Sequence, residues 1–151
     1  MNRTPRYLLV MVWLFGIVVS ASLQSAEYLI DTKGAHAAIN FKIKHLGYSW
    51  LTGRFNRFSG HFKYDEKMPS ATQVKVEIDA ASVDSNHAER DKHLRSKDFL
   101  DVGSYPKAAF VSASFQELSG EKALLKGDLT LHGVTKAIEI DVVHIGHGTD
   151  P

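Results

Sequence analysis

The 151-residue chain contains no cysteine, which removes disulfides, thiolate metal sites and a cysteine nucleophile from consideration. It also lacks an excess of either charge, with 18 lysines and arginines against 17 aspartates and glutamates. Holding nucleic acid through its phosphates needs a marked basic surplus, so nucleic acid is not an expected partner. No serine stands in a G-x-S-x-G elbow, which excludes a hydrolase of that design. His87 and His93 are six residues apart and fall on different faces of a helix, unlike the i, i+4 pair of a helical zinc site. No metal, no cofactor and no catalytic group is expected.

A long apolar run is missing too. The longest extends from about Leu8 to Val19, short of the roughly 20 residues a bilayer span requires. Arg3 and Arg6 precede it and small residues ending at Ala26 follow, the layout of a secretory signal peptide. Cleavage is expected after Ala26, although Gln24 departs from an A-x-A site, and no cysteine follows to carry a lipid anchor. Residues 27–151 then form one domain outside the cytoplasm. Removing Arg3 and Arg6 from the 18 basic residues leaves 16 against 17 acidic ones, a net charge of −1. A domain of this length buries about two-thirds of its extended surface. Without disulfides in an oxidising compartment, sheets must supply the stability.

Most of that domain alternates like strand. In 35–44, Ala37, Ile39, Phe41 and Ile43 face one way and His36, Asn40, Lys42 and Lys44 the other. Gly47 marks a bend, and 48–58 carries Trp50, Leu51 and Phe55 around Gly53, where a bulge or a sharply coiled strand is expected. Phe58, Gly60, Phe62 and Tyr64 alternate with polar residues, and Val74, Val76 and Ile78 make the next strand. Further on, Val111, Ala113 and Phe115 are expected to share a face opposite Phe110, Ser112 and Ser114. Ser119-Gly120 reads as a turn, and Leu125, Gly127, Leu129 and Leu131 alternate up to a tight hairpin at Gly133. In 134–145, Ile138, Ile140 and Val142 share a face while Val143 and Ile145 slip by one, which predicts a bulge near Val142.

One stretch breaks the alternation: SVDSNHAERDKHLRSKDFLDVGSYP, residues 82–106. Asn86 with Glu89 three residues on has the form of a helix N-terminus. Glu89 four before His93, and Asp91 four before Arg95, are acid-base pairs in the favoured order. Apolar content is thin, so Leu94 and Phe99 must rest on the sheets. The HAE triplet at 87–89 is shared with zinc deaminases, whose cysteine ligands are missing here. A helical lid or plug on a β-structure is expected.

Long antiparallel strands with one polar and one apolar face, and one helical insertion, predict an all-β sandwich or up-and-down barrel. The apolar face is aromatic-rich near the first strands, with Phe41, Tyr48, Trp50, Phe55, Phe58 and Phe62. A barrel of about eight strands is either filled by its own side chains or holds one small ligand. Small inward residues at Ala37, Gly60, Ala113 and Gly127 would leave room for one.

Three stretches add a likeness. HLGYSWLTGRF from His45, VDSNHAERDKHLRSKDFLDVGSYPKAAF from Val83 and GDLTLHGVTKAIEIDV from Gly127 closely resemble the YceI-like family of periplasmic, lipocalin-like proteins. The resemblance covers the chain from about Tyr28 and implies an elongated antiparallel β-barrel that holds a polyisoprenoid or similar lipid, with no established catalysis. Within such a barrel the aromatic and aliphatic residues Ile39, Phe41, Ile43, Tyr48, Trp50, Phe55, Phe62, Leu94, Phe99 and Phe110 are the expected contacts for a lipid tail. His45, His87, Arg90 and His93 are the head-group candidates. Family members carry further strands after the point matching Pro151. The barrel is therefore expected to lack its last strands here, with a homodimer through unpaired strand edges as one way to close it. Two other readings stay open: an enzyme acting on a small amphiphile through His87, Asp91 or His93, and a structural periplasmic β-module with a filled core.

Overall fold

The computed structural model describes residues 26–34 and 36–148. The expected leader lies outside the described residues except for Ala26. In chain order the elements are β1 (Ala26–Leu29), β2 (Ile39–His45), β3 (Ser49–Phe55), β4 (Phe58–Tyr64), β5 (Gln73–Asp79), β6 (Val83–Asp84), α1 (Ala88–Arg95), β7 (Lys107–Glu117), β8 (Lys122–Leu131) and β9 (Val134–Val143). The strands pair antiparallel throughout. They form a six-stranded sheet in the order β1-β4-β5-β7-β8-β9 and a three-stranded sheet in the order β2-β3-β6. This is the mainly antiparallel all-β fold with one inserted helical segment that the alternation predicts. Among the described residues, β1 and β9 are the edges of the large sheet.

Two corners join the sheets. The chain turns from β3 into β4 at Asn56 and Arg57, and from β5 into β6 at Ala80–Ser82. Ser82 fastens one corner to the other: its backbone oxygen accepts from the Asn56 amide (3.1 Å) and its Oγ from the Arg57 amide (3.0 Å). Ala80, Ser82 and Val83 are buried beneath. Arg57 also pairs with Asp79 at 2.8 Å, and the Asn56 side-chain amide donates from Nδ2 to Asp84 at 3.0 Å.

Both carboxyls consequently sit below the usual aspartate range, Asp79 chiefly through its hydrogen bond from Arg57 and Asp84 through that from Asn56. A lowered folded-state pKa gives stability that is complete above the unfolded value of about 3.9 and lost as pH falls through the folded value. Urea unfolding at a series of pH values should therefore show stability dropping below about pH 4. Asp84→Asn should flatten part of that drop, and an unchanged slope would assign the acid sensitivity elsewhere. Both groups lie at the surface, so the effect is small.

Two sequence expectations need correcting, and one strand was not anticipated. Gly53 carries no bulge: it pairs regularly with Phe41, the Cζ end of whose ring stands where a Cβ would collide. The glycine is there for close approach. Second, the bulge lies in β7 between Ser112 and Ser114, not near Val142. Phe110 and Phe115 are five residues apart and can share a face only if one residue is looped out. The extra residue is Ala113, which is exposed and leaves no inner space, while Val111 faces outward. β9 keeps register with β8 from Val134 to Val143, and Ile145 lies past its end. β1 was not legible as a strand, yet Tyr28 stacks on Phe62 with ring centroids 5.0 Å apart.

Candidate functional site

The β2–β3 ribbon and α1 border a half-open cavity of about 700 Å³, within the range of small-molecule sites. Strand parity decides what the ribbon contributes. Phe41, Ile43 and His45 face the same way as their partners Gly53, Leu51 and Ser49, and all but Gly53 line the cavity. Opposite them are Arg90, His93, Leu94 and Phe99, with Ser85 and Asn86 between. A second cavity of about 620 Å³ adjoins the first and shares Phe41, Thr52, Ser85 and Asn86 with it.

α1 is too poor in apolar residues to hold its place by burial, and polar contacts do it instead. Asp91 is 7% exposed and its Oδ1 accepts from both the backbone amide and the hydroxyl of Ser85. Arg90 donates from Nε to the same hydroxyl (2.7 Å) and from Nη2 to the Ser85 carbonyl (2.6 Å). Arg95 donates to the carbonyls of Ala81 and Val83, both at 2.8 Å. A carboxylate and two guanidiniums thus tie one side of the helix to the β6 segment. Charge-assisted bonds of this kind contribute about 1.5–3 kcal/mol each.

These contacts displace several sequence expectations. The helix is capped by His87, whose Nδ1 accepts from the Arg90 amide at 3.2 Å. Asn86, expected as the cap, instead takes a left-handed conformation (φ 62°) that a short polar residue tolerates. Neither expected i, i+4 ion pair forms. Asp91 and Arg95 turn to the chain before the helix, and His93 turns to Asp98 at 3.2 Å. His93 also meets Phe99 edge-on, 4.8 Å between centroids.

Of the tail-contact candidates, Phe41, Ile43, Trp50, Leu94 and Phe99 line the one cavity, and so do the head-group candidates His45, Arg90 and His93. Ile39 and Phe55 are register partners on the same ribbon face beyond its lining, Phe55 tilted against Phe41 at 5.8 Å. Trp50 sits at the margin: its partner is Lys44, on the opposite face, and the Lys42 ammonium lies 4.4 Å above its ring. Tyr48 is at the ribbon tip and 80% exposed. Phe62 and Phe110 belong to the large sheet, Phe110 buried there over Gly127. His87 is the helix cap. Sequence reading missed Ser85 as a ligand of the helix, because nothing in a run of charges tells which one will be buried.

His87, Asp91 and His93 are each engaged by a different partner, the Arg90 amide, Ser85 and Asp98. Aromatic and aliphatic walls meet a rim of hydroxyl, amide, imidazole and guanidinium groups.

Known proteins share this architecture. The YceI-like domain matches residues 28–150. A UPF0312 protein of Vibrio parahaemolyticus is 53% identical over 140 residues, covering 90% of this chain and 74% of that protein. Among solved structures, BcnA of Burkholderia cenocepacia superposes with a TM-score of 0.73 at 25% identity, over 79% of this chain and 73% of that one. A polyisoprenoid binding domain from Saccharophagus degradans superposes with a TM-score of 0.58 at 21% identity, over 82% of this chain and 70% of that one.

Proposed function

From the premise that this chain belongs to the YceI-like domain family, we propose that it binds an apolar isoprenoid-type lipid, of the quinone or polyprenyl phosphate class, in the cavity between the β2–β3 ribbon and α1. The observation that carries this reading is the cavity wall of Phe41, Ile43, Leu51, Leu94 and Phe99 with polar groups gathered at its rim. The name of the Saccharophagus degradans domain adds support. Burying about 400 Å² of tail contributes roughly 10 kcal/mol gross at about 25 cal/mol per Å², against which stands the cost of association. Affinity can thus arise with little polar contact. The engagement of His87, Asp91 and His93 by separate partners favours a carrier over an enzyme on a small amphiphile. The basic, apolar and small-residue layout of residues 1–26 supports a site of action outside the cytoplasm, the periplasm, after cleavage.

The test is mass spectrometry of lipid extracted from protein purified from the periplasmic fraction, with one isoprenoid lipid per chain expected. Phe41→Asp places an unpaired charge against Phe55 and Gly53 and should empty the protein. Circular dichroism is the check that the variant is folded. A folded Phe41→Asp that keeps its lipid would move the tail to another part of the molecule, and a wild-type protein without lipid would favour the filled structural module.

A further inference from the structure

The ladder between β5 and β7 stops at Lys75 and Val111, although both strands run on. The next β5 amide, that of Val74, donates to the Ser112 hydroxyl at 2.8 Å, and Ala113 is looped out just beyond. The strands part there, and a half-open cavity of about 380 Å³ occupies the gap. Thr72 lies in its lining, 7% exposed, and among the described residues its Oγ1 has no partner. A buried hydroxyl left in that state keeps its desolvation cost, which an occupant of the cavity offsets. β4, β5 and β7 have both edges paired, so a strand added to this sheet joins it at β1 or β9 and not at the gap.

The surroundings of that hydroxyl are basic. His61, Lys63 and Lys75 line the same cavity, on the sheet face opposite Phe110 and Ile78. His61 pairs with Lys75 and Lys63 with Gln73, so the two lysines are diagonal neighbours, about 7–8 Å apart at their backbones and within reach of one anion. Elsewhere on this sheet lysines have carboxylates: Lys107 meets Glu77 at 2.7 Å and Lys126 meets Glu139 at 2.6 Å. Among the described residues Lys63 and Lys75 close no ion pair. Glu27, the register partner of Lys63, is exposed at the cavity rim. Like charges on neighbouring strands repel, and a bound anion relieves that repulsion.

We propose that the gap between β5 and β7 is a binding site for a small phosphate monoester, separate from the lipid cavity. Such a group carries about −1.5 to −2 charges at neutral pH, which matches the two lysines. Their ammonium groups hold the phosphate oxygens as point charges, His61 and Gln73 add donors, and the Thr72 hydroxyl donates from beneath. A cavity of this size has room for an organic group beside the phosphate, and Val111 and Ala113 of the lining lie against it.

Isothermal titration calorimetry of the purified full chain with glycerol 3-phosphate tests this, at an ionic strength held constant with sodium chloride and with glycerol as the uncharged control. Saturable binding of one ester per chain is expected, and none of glycerol. Lys63→Gln and Lys75→Gln should each weaken that binding about tenfold. Thr72→Val should weaken it too, while raising the thermal midpoint of the ligand-free protein, because it removes the orphaned hydroxyl. An absence of saturable binding, or binding that is undiminished in both lysine variants, would overturn the proposal. The lipid content of the same preparation keeps the two readings apart. A lipid-loaded protein that ignores the ester sinks this site alone, and an empty protein that binds it sinks the lipid reading alone.

Discussion

Asp91→Ala is expected to lower stability by about 3 kcal/mol and to release α1 from the β6 segment. The side chain is 7% exposed and supplies the acceptor for both the amide and the hydroxyl of Ser85. Its removal leaves a buried N–H without a partner and strips the counter-charge from behind Arg90, which shares that hydroxyl. Such losses cost more than the intact contact contributes, because the orphaned groups keep their desolvation penalty. Urea unfolding followed by circular dichroism measures the shift, with Glu89→Ala, exposed on the same helix, as the control. A loss no larger than that of the control would show that burial alone seats the helix. Because Leu94 and Arg90 of α1 line the cavity, the variant should also lose lipid, and Asp91→Asn, which retains one acceptor, should lose less of both.

Gly127→Ala is the second large effect, again about 3 kcal/mol. A Cβ on Gly127 would stand 2.5 Å from the Val111 carbonyl oxygen and 2.6 Å from Cζ of Phe110. The carbonyl belongs to the neighbouring strand next to the β7 bulge, so it cannot withdraw without breaking the ladder, and Phe110 is held in the core at 6% exposure. Thermal denaturation should show the loss, and adding Phe110→Leu should recover only the part due to the ring. Full recovery would mean that the carbonyl is free to move. The cavity lies on the other sheet, so bound lipid should survive this substitution in the fraction that remains folded.

Parity along the chain was enough to read much of the sheet. Ile39, Phe41 and Ile43 share a face, as do Val74, Val76 and Ile78, since successive residues of any strand point to opposite sides whatever lies across from them. The same rule failed in β7, where reading Val111, Ala113 and Phe115 as one face ignored the residue looped out at Ala113. Parity predicts a face only while the ladder is regular. It also placed Trp50 with the inward aromatics, although its pairing with Lys44 puts it on the other side of the ribbon. Trp50 and Phe55 are five residues apart and share a face only across the bulge expected at Gly53, and the ladder there is regular.

The residues alone were sufficient for the antiparallel all-β class, the inserted helix and the kinship to the YceI-like domain, because alternation, charge density and long shared stretches are local properties of the chain. The cavity was not legible in that way. Leu94 and Phe99 come to face Phe41 and Ile43 about fifty residues earlier because Ser85 catches Asp91 and Arg90, and because the carbonyls of Ala81 and Val83 catch Arg95. A run such as AERDKHLR shows equally charged positions all round the helix. Which of them leaves water depends on the distant backbone laid beside it, since only there does a hydrogen-bond partner offset the cost of desolvation.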